Sequence, residues 1–386
     1  MDENQVQKFV TSWRDTPRRK NACGGTVRPH HQREASFVEA SIRQGCPSGH
    51  TRKSVKNSQR RDKVMTNKSP NVSTLGAVNK DDSPDVIGIG TCTADMLFVV
   101  PQPPAYGRSW RASQYLRQAG GPVSTALVTL ARLGVSTRYV GRAGDDPEGV
   151  FIRNEFQKEG VDVSRFMLEP NVFSRAVLVL VDQETGERCF TSRRETNTPL
   201  AISDLDRQEI ESAKVLHLDD ADEPSVQAAK WAKAAGVTVV LDGTWHSEEL
   251  VEKLLPLVDI PIVSEVFAQG WMPDAPPEAI VEGLYDFGAR IAAVTLGEKG
   301  CVAKWEGGLL TFPAFPVDVV DTTGAGDAFH GGFIYGILQD WSAPEIVRFA
   351  SAVASINCRQ LGGRTGLPTV EEVHQFLEDF PATDSQ

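Results

Sequence analysis

The chain has 386 residues, 40% of them hydrophobic and 24% charged, with a formal net charge of −11. Such a composition supports a large buried core, and no apolar run nears the eighteen or so residues that a membrane-spanning helix needs. Residues 1–83 hold 16 Lys/Arg against 8 Asp/Glu and residues 84–386 hold 24 against 43, so a tail of net +8 precedes a body of net −19. An acidic body argues against nucleic-acid binding by the folded part. The six cysteines are scattered without disulfide or metal spacing, which fits a reduced, cytoplasmic setting.

Residues 1–83 lack sustained hydrophobic periodicity and are rich in Arg, Lys, Ser, Asn, Gln and Gly. Apolar surface is too scarce there to offset the entropy of ordering, so the stretch reads as a disordered basic tail, with Met65 as an alternative start. Cys23, His30, His31, Cys46 and His50 are metal-ligand types, but their spacing matches no standard zinc finger. Asp2, Glu3 and Asp15 argue against a transit peptide.

The folded domain is expected over residues 84–381. It opens with a short apolar run at 85–91, read as a buried strand. Asp95 follows the carboxyl end of that strand, where open α/β sheets bind ligands, and is a candidate substrate ligand. Residues 96–119, with Pro101, Pro103, Pro104 and a Tyr106-Gly107 turn, read as a two-stranded flap. Gly120 and Gly121 then lead into a helix over 123–134, and paired glycines let a ligand approach the backbone closely. A strand at 137–146 ends in Gly-Asp-Asp, a helix follows over 147–160, and strands at 176–181 and 188–192 form a hairpin within a second lid segment, 172–196.

From about residue 212 strands and helices alternate, which argues for parallel βα units. Apolar runs at 215–218, 237–241, 260–263 and 291–296 are the strands. Asp242, Ser264 and Glu265 stand at strand ends, and Thr295 to Gly300 reads as a strand followed by a glycine turn. An amphipathic helix over 343–358 and the loop Gly362-Gly363-Arg364-Thr365-Gly366 complete the domain. His217, His246 and His330 have no sequence partner and read as structural.

Residues 321–333, Asp-Thr-Thr-Gly-Ala-Gly-Asp-Ala-Phe-His-Gly-Gly-Phe, carry the clearest chemistry. They lie between an alternating apolar segment at 315–320 and a helical pattern at 328–338. Gly324 and Gly326 clear the turn of side chains, so the backbone N–H groups of Gly324, Ala325, Gly326 and Asp327 can converge on an anion at the positive end of a helix. A positive φ at Gly326 is part of this expectation. Asp327 then falls in the first helical turn beside the anion hole, as a proton acceptor. That arrangement suits phosphoryl transfer to a hydroxyl. The string lacks the third glycine of a dinucleotide fingerprint, and the chain has no Walker A motif.

The 321–333 string and the Gly120-Gly121 helix, about two hundred residues apart in that order, resemble the two signatures of the ribokinase-like (PfkB) family of sugar kinases. The resemblance spans roughly 85–380 and implies a central, mostly parallel sheet with helices on both faces, plus a small β lid that pairs two subunits into a homodimer. It makes Asp327 the catalytic base and ATP the phosphoryl donor, with Mg2+. Asp95, Gly120, Gly121 and Thr125 would face the sugar, and Thr125 stands where the family carries Asn. Thr295, Gly297, Gly300 and Asn357 would hold the nucleotide. Asp321, Thr323 and Gly362 would hold K+, and Glu265 lies in the magnesium region, displaced because Ser264-Glu265-Val266-Phe267 replaces Asn-x-x-Glu. Residues 317–333 and the Gly-Gly-Arg-Thr-Gly loop are most similar to the sulfofructose kinase branch, which implies an anionic ketose met by Arg108 and by Arg193 or Arg194. Kinases for a neutral sugar such as fructose or ribose, kinases for a keto-deoxy sugar acid, and a non-catalytic sugar-binding regulator are the alternatives.

Overall fold

The computed structural model describes residues 83–102, 105–184 and 188–381. What is expected of residues 1–82, including the Met65 start and the Cys/His candidates, lies outside them. In chain order the strands are β1 (Val86–Ile89), β2 (Thr93–Val100), β3 (Gln114–Gly120), β4 (Thr137–Gly144), β5 (Asp162–Glu169), β6 (Ala176–Asp182), β7 (Arg188–Arg193), β8 (Val215–Leu218), β9 (Thr238–Gly243), β10 (Ile260–Ser264), β11 (Ile291–Thr295), β12 (Cys301–Trp305) and β13 (Gly308–Phe312).

Nine strands form one sheet in the order β13-β12-β11-β10-β9-β8-β1-β4-β5. The pairings from β11 through β1 to β5 are parallel, and β12 and β13 add an antiparallel edge hairpin. Two apolar layers flank this sheet. One joins the helices Pro122–Arg132, Ala325–Leu338 and Ala343–Asn357, and the other joins Glu223–Ala235, Glu265–Trp271 and Pro277–Tyr285. Burial on both faces explains why β1, β8 and β9 read as continuous apolar runs rather than alternations. Gly88 sets the helix height: a Cβ there would lie 2.6 Å from Val123 Cγ1, so its absence lets helix Pro122–Arg132 settle onto β1.

The chain leaves β1 with β4 on one side and β8 on the other, a reversal of strand order that opens a crevice at the carboxyl ends. Above it stands a second sheet, ordered β3-β2-β6-β7. Leu97, Val99, Val179 and Val181 bury one of its faces, helped by Leu361. Asp146 ties this lid to the body. Its carboxylate accepts from Gly149 N at 2.8 Å, Ser174 N at 3.0 Å, Ser174 Oγ at 2.6 Å and Arg193 Nη2 at 3.0 Å.

Two expectations fail here. Residues 315–320 alternate but form no strand; Phe315 packs on Phe312, Phe376 and Phe380, Val319 and Val320 are exposed, and Val320 N donates to Cys358 O at 2.9 Å. Strands β5, β12 and β13 went unread: β5 has an irregular burial pattern, and β12 and β13 are five residues each, with a buried run of only three in β12.

Candidate active site

The turn at 321–324 is built by one buried carboxylate. Asp321 Oδ1 accepts from Thr323 N at 2.9 Å and Thr323 Oγ1 at 2.7 Å, and Oδ2 accepts from Gly362 N at 2.9 Å. Asn357 supports the same turn from below, donating through Nδ2 to Gly363 O at 3.1 Å and Thr323 O at 3.4 Å. Gly324, at φ 71°, caps the helix Ala325–Leu338. A Cβ at Gly324 would meet Gly363 Cα and O at 2.7 Å, so glycine is required there for conformation and for space. Gly326 is different. Its φ is not positive, contrary to the expectation, and a Cβ there would meet nothing within 4 Å. Open space thus lies over the helix start, where the amides of Gly326 and Asp327 have no acceptor inside the helix. Ala325 N donates to Thr322 O at 3.2 Å instead.

Asp327 occupies the third position of that helix and is partly buried beside this space. Burial pushes its carboxyl up to about 7, the charge of Asp242 pushes the same way, and Arg364 opposes both. Asp242, at the end of β9, is itself buried and pushed up to about 6, with the Thr244 hydroxyl donating to it at 2.7 Å as a partial offset. His330 Nε2 lies 3.4 Å from Asp242 Oδ2. Burial pushes His330 down to about 3, so the ring beside the Asp242 carboxyl is neutral rather than one half of an ion pair. Asp219, after β8, completes a row of carboxyls. It accepts Thr91 N through both oxygens, at 2.9 and 3.2 Å, and burial pushes it up to about 7. Perturbed carboxyls at the carboxyl edge of a parallel sheet mark a functional site.

The sugar-side candidates meet beside this row. Asp95 is the third residue of β2 rather than a loop residue, and its Oδ1 accepts the Thr93 hydroxyl at 2.6 Å. Burial raises its pKa, against the pull of Thr93 and Arg364. Its other carboxyl oxygen would lie 2.0 Å from a Cβ on Gly120. Gly121, at φ 102°, starts the next helix, and a Cβ on it would strike Thr91 O at 2.4 Å. Thr125 is buried, and its hydroxyl takes Arg364 Nε at 3.2 Å.

The remaining candidates are spread further. Thr295 ends β11, its hydroxyl 3.5 Å from Val263 O. Gly297 and Gly300 take φ 60° and 90° in the turn before β12. Asn357 is fully buried beneath the 321–324 turn, so it supports that turn from inside. Glu265 faces Lys299 at 3.4 Å. Arg108 is exposed in a surface turn. Arg193 is held by Asp146, Glu148 at 3.3 Å and Ser174 O at 3.0 Å, so its charge is spent on closing the lid base. Arg194 is exposed.

A cavity of about 330 Å³ opens at the ends of β1, β4 and β8, lined among others by Gly90, Thr91, Arg142, Arg175, Asp219 and Asp220. Asp327 does not line it. The charge of Asp242 raises the proton affinity of both Asp219, on the cavity wall, and Asp327, so the three carboxyls link the two. Sequence reading missed Asp219 and Asp220, and the only signal was their place after the 215–218 run.

Chains with this geometry are known. The chain is 28% identical over 299 residues to a ribokinase of Haemophilus influenzae, covering 75% of this chain and 97% of that protein. Its fold is similar to a solved structure of a putative ribokinase from Agrobacterium tumefaciens, with TM-score 0.71 and 25% identity over 78% of this chain and 99% of the other. It is also similar to the structure of Arabidopsis thaliana ribokinase complexed with ribose and ATP, with TM-score 0.66 and 26% identity over 77% and 99%. The pfkB family carbohydrate kinase model matches residues 83–370, and the chain belongs to that family of carbohydrate kinases.

Proposed function

We propose that this protein transfers the terminal phosphoryl group of ATP to a hydroxyl of a sugar, with Asp327 as the base. The observation that carries the reading is Asp327 at the start of a helix, beside open space over Gly326. Asp327 accepts the proton of the attacking hydroxyl, and its raised pKa matches a base working near neutral pH. The amides of Gly326 and Asp327, with the helix dipole, take up charge on the transferring group. Asp95 and the Gly120-Gly121 turn orient the sugar. Thr295, Gly297 and Gly300 line the nucleotide side.

Two cations belong to this reading. Magnesium supplies charge neutralisation on the ATP phosphates when bound, and Glu265 would stand nearest to it at the end of β10. A monovalent cation such as K+ suits the corner of Asp321, Thr323 and Gly362, because the donors are oxygens and the buried Asn357 Oδ1 lacks a hydrogen-bond partner. Among the described residues no group of three or more His, Cys, Asp and Glu side chains forms a metal site. The half-buried outer face of the lid, with Met96, Phe98, Leu178 and Leu180, would pair in a homodimer.

At the cavity on the Asp219 side of the carboxyl row both lining arginines are paired, which supports a neutral sugar. Arg142 is neutralised by Asp204 at 2.7 Å and Glu169 at 3.7 Å, and Arg175 by Glu195 at 2.6 and 2.7 Å. Asp219 and Asp220 remain on the wall. An anionic ketose, as in the sulfofructose kinase branch, is the second reading, and exposed Arg108 is its free-standing cation. Purified protein with ATP and a panel of neutral sugars, keto-deoxy acids and sulfonated ketoses decides between them. Turnover of no sugar refutes the kinase reading, and preference for a sulfonated ketose refutes the neutral one.

A further inference from the structure

The loop at residues 362–366 carries a side chain that the reaction as described leaves unused. Arg364 is 2% exposed, and taking its charge out of water is costly unless acceptors and countercharges replace the hydration. Nε donates to Thr125 Oγ1, and Nη2 donates to Ser124 Oγ and, at 3.4 Å, to Gly120 O. All three acceptors belong to the glycine turn and the first helical turn after it. The loop is also stitched to β3, for Arg364 N donates to Gln118 Oε1 at 3.2 Å and Gln118 Nε2 to Thr365 Oγ1 at 3.3 Å. Nη1 is buried and finds no hydrogen-bond partner. A fork with one nitrogen unsatisfied is a poor stabilising device.

Its surroundings explain it better. The groups whose charges act on the guanidinium, none of them in an ion pair with it among the described residues, are Asp95 from β2, Asp327 from the helix Ala325–Leu338, Glu159 from the end of helix Pro147–Lys158 and Cys92. Glu159 is already held by Arg132 at 2.7 and 2.9 Å. Asp95 and Asp327 have no ion pair of their own among the described residues, and the charge of Asp242 adds to the crowding at Asp327. Neighbouring carboxyls in a dry cleft resist ionising together unless a cation sits with them. Yet the reaction needs both charged, Asp95 to accept a sugar hydroxyl and Asp327 to accept its proton.

We propose that Arg364 is a positioning residue of the kinase reaction: its fork fixes the Gly120-Gly121 turn against which the sugar lies, and its buried charge favours the ionised forms of Asp95 and Asp327. The proposal rests on the phosphoryl-transfer reading above. It assigns Arg364 two separable effects, one from charge and one from fork geometry.

Arg364→Met and Arg364→Lys in the full chain separate them. The Met variant should raise the KM of the preferred sugar about tenfold and move the acid limb of kcat/KM up by about one pH unit or more. The Lys variant keeps the charge and so the limb, but a lysine cannot fork onto Gly120 O, Ser124 and Thr125, and KM should stay raised. A folded Met variant with the wild-type KM and acid limb overturns the proposal. Should the Met variant not fold, an unchanged KM in the Lys variant overturns it. In protein labelled at the aspartate carboxyl carbons, NMR titration should show two carboxyls moving to higher pH when Arg364 is neutralised. An unmoved titration refutes the proposal even if no sugar is turned over, whereas a wild type inactive on every sugar refutes the reaction reading instead.

Discussion

Replacing Asp327 by Asn tests the base and the electrostatics together. Asn keeps the size and cannot take a proton, so turnover should fall by about 10² to 10⁴, or about 3 to 5 kcal/mol of barrier. Stability should move the other way. The carboxyl titrates at about 7 in the fold against an ordinary 3.8, chiefly through burial and then through Asp242. The folded state thus holds a proton that the unfolded chain releases, so its contribution is full below the ordinary value and is lost as pH rises through about 7. A shift of about three units corresponds to about 4 kcal/mol. Partial exposure of Asp327 and sharing with Asp242 cut this to about 1 to 2 kcal/mol. The Asn variant should therefore unfold at a higher denaturant midpoint than wild type at pH near 8, and at about the same midpoint near pH 4. Steady-state turnover and urea titrations at both pH values measure this. Near wild-type turnover would remove Asp327 as base. An Asn variant less stable than wild type near pH 8 would refute the burial account.

Gly326→Ala should keep or raise stability by up to about 1 kcal/mol, since its Cβ meets open space on a helical residue, while turnover falls because that space is where the phosphoryl group lies; unchanged kcat would show that it is not. Gly324→Ala should instead lose about 1 to 3 kcal/mol on a urea titration, from the positive φ and the contact with Gly363, and a neutral result would contradict the turn geometry. Glu195→Gln leaves Arg175 unneutralised at the cavity wall, so the ratio of kcat/KM for an anionic over a neutral sugar should rise about threefold to tenfold. No change in that ratio would place the sugar elsewhere.

The glycine turns and the helix that carries Asp327 were legible because each rests on local rules. Gly121 and Gly324 need positive φ, Asp327 needs a fixed offset from the turn, and helix Pro122–Arg132 shows its period in the chain. Most parallel strands were legible because double-sided burial leaves uninterrupted apolar runs. The hairpin β12–β13 was not, because its strands are only five residues long and β13, at the sheet edge, is specified by its one neighbour rather than by its own pattern. Arg193 illustrates a deeper limit. Nothing in the chain around residue 193 announces Asp146, 47 residues away, which takes up its charge. Arg364 and Thr125 are separated by 239 residues, so a cation in the closing loop reads as solvated until the fold brings it inside.

The same limit explains why His330 read as a plain core histidine and Asp242 as a strand-end residue. Each is ordinary alone. Together they put a neutral imidazole against a buried carboxyl that faces the base. A fold selected for stability alone would not gather Asp95, Asp219, Asp242 and Asp327 around one crevice, since burial there raises the proton affinity of each and so makes its charged form costly. The strain falls where strand order reverses and the sheet offers its carboxyl ends. There a buried guanidinium is carried on a loop that also braces the 321–324 turn, through Gly362 on Asp321 and Gly363 against Gly324. Sugar side and phosphate side are thereby held by one short segment, and a change in either should be felt by the other.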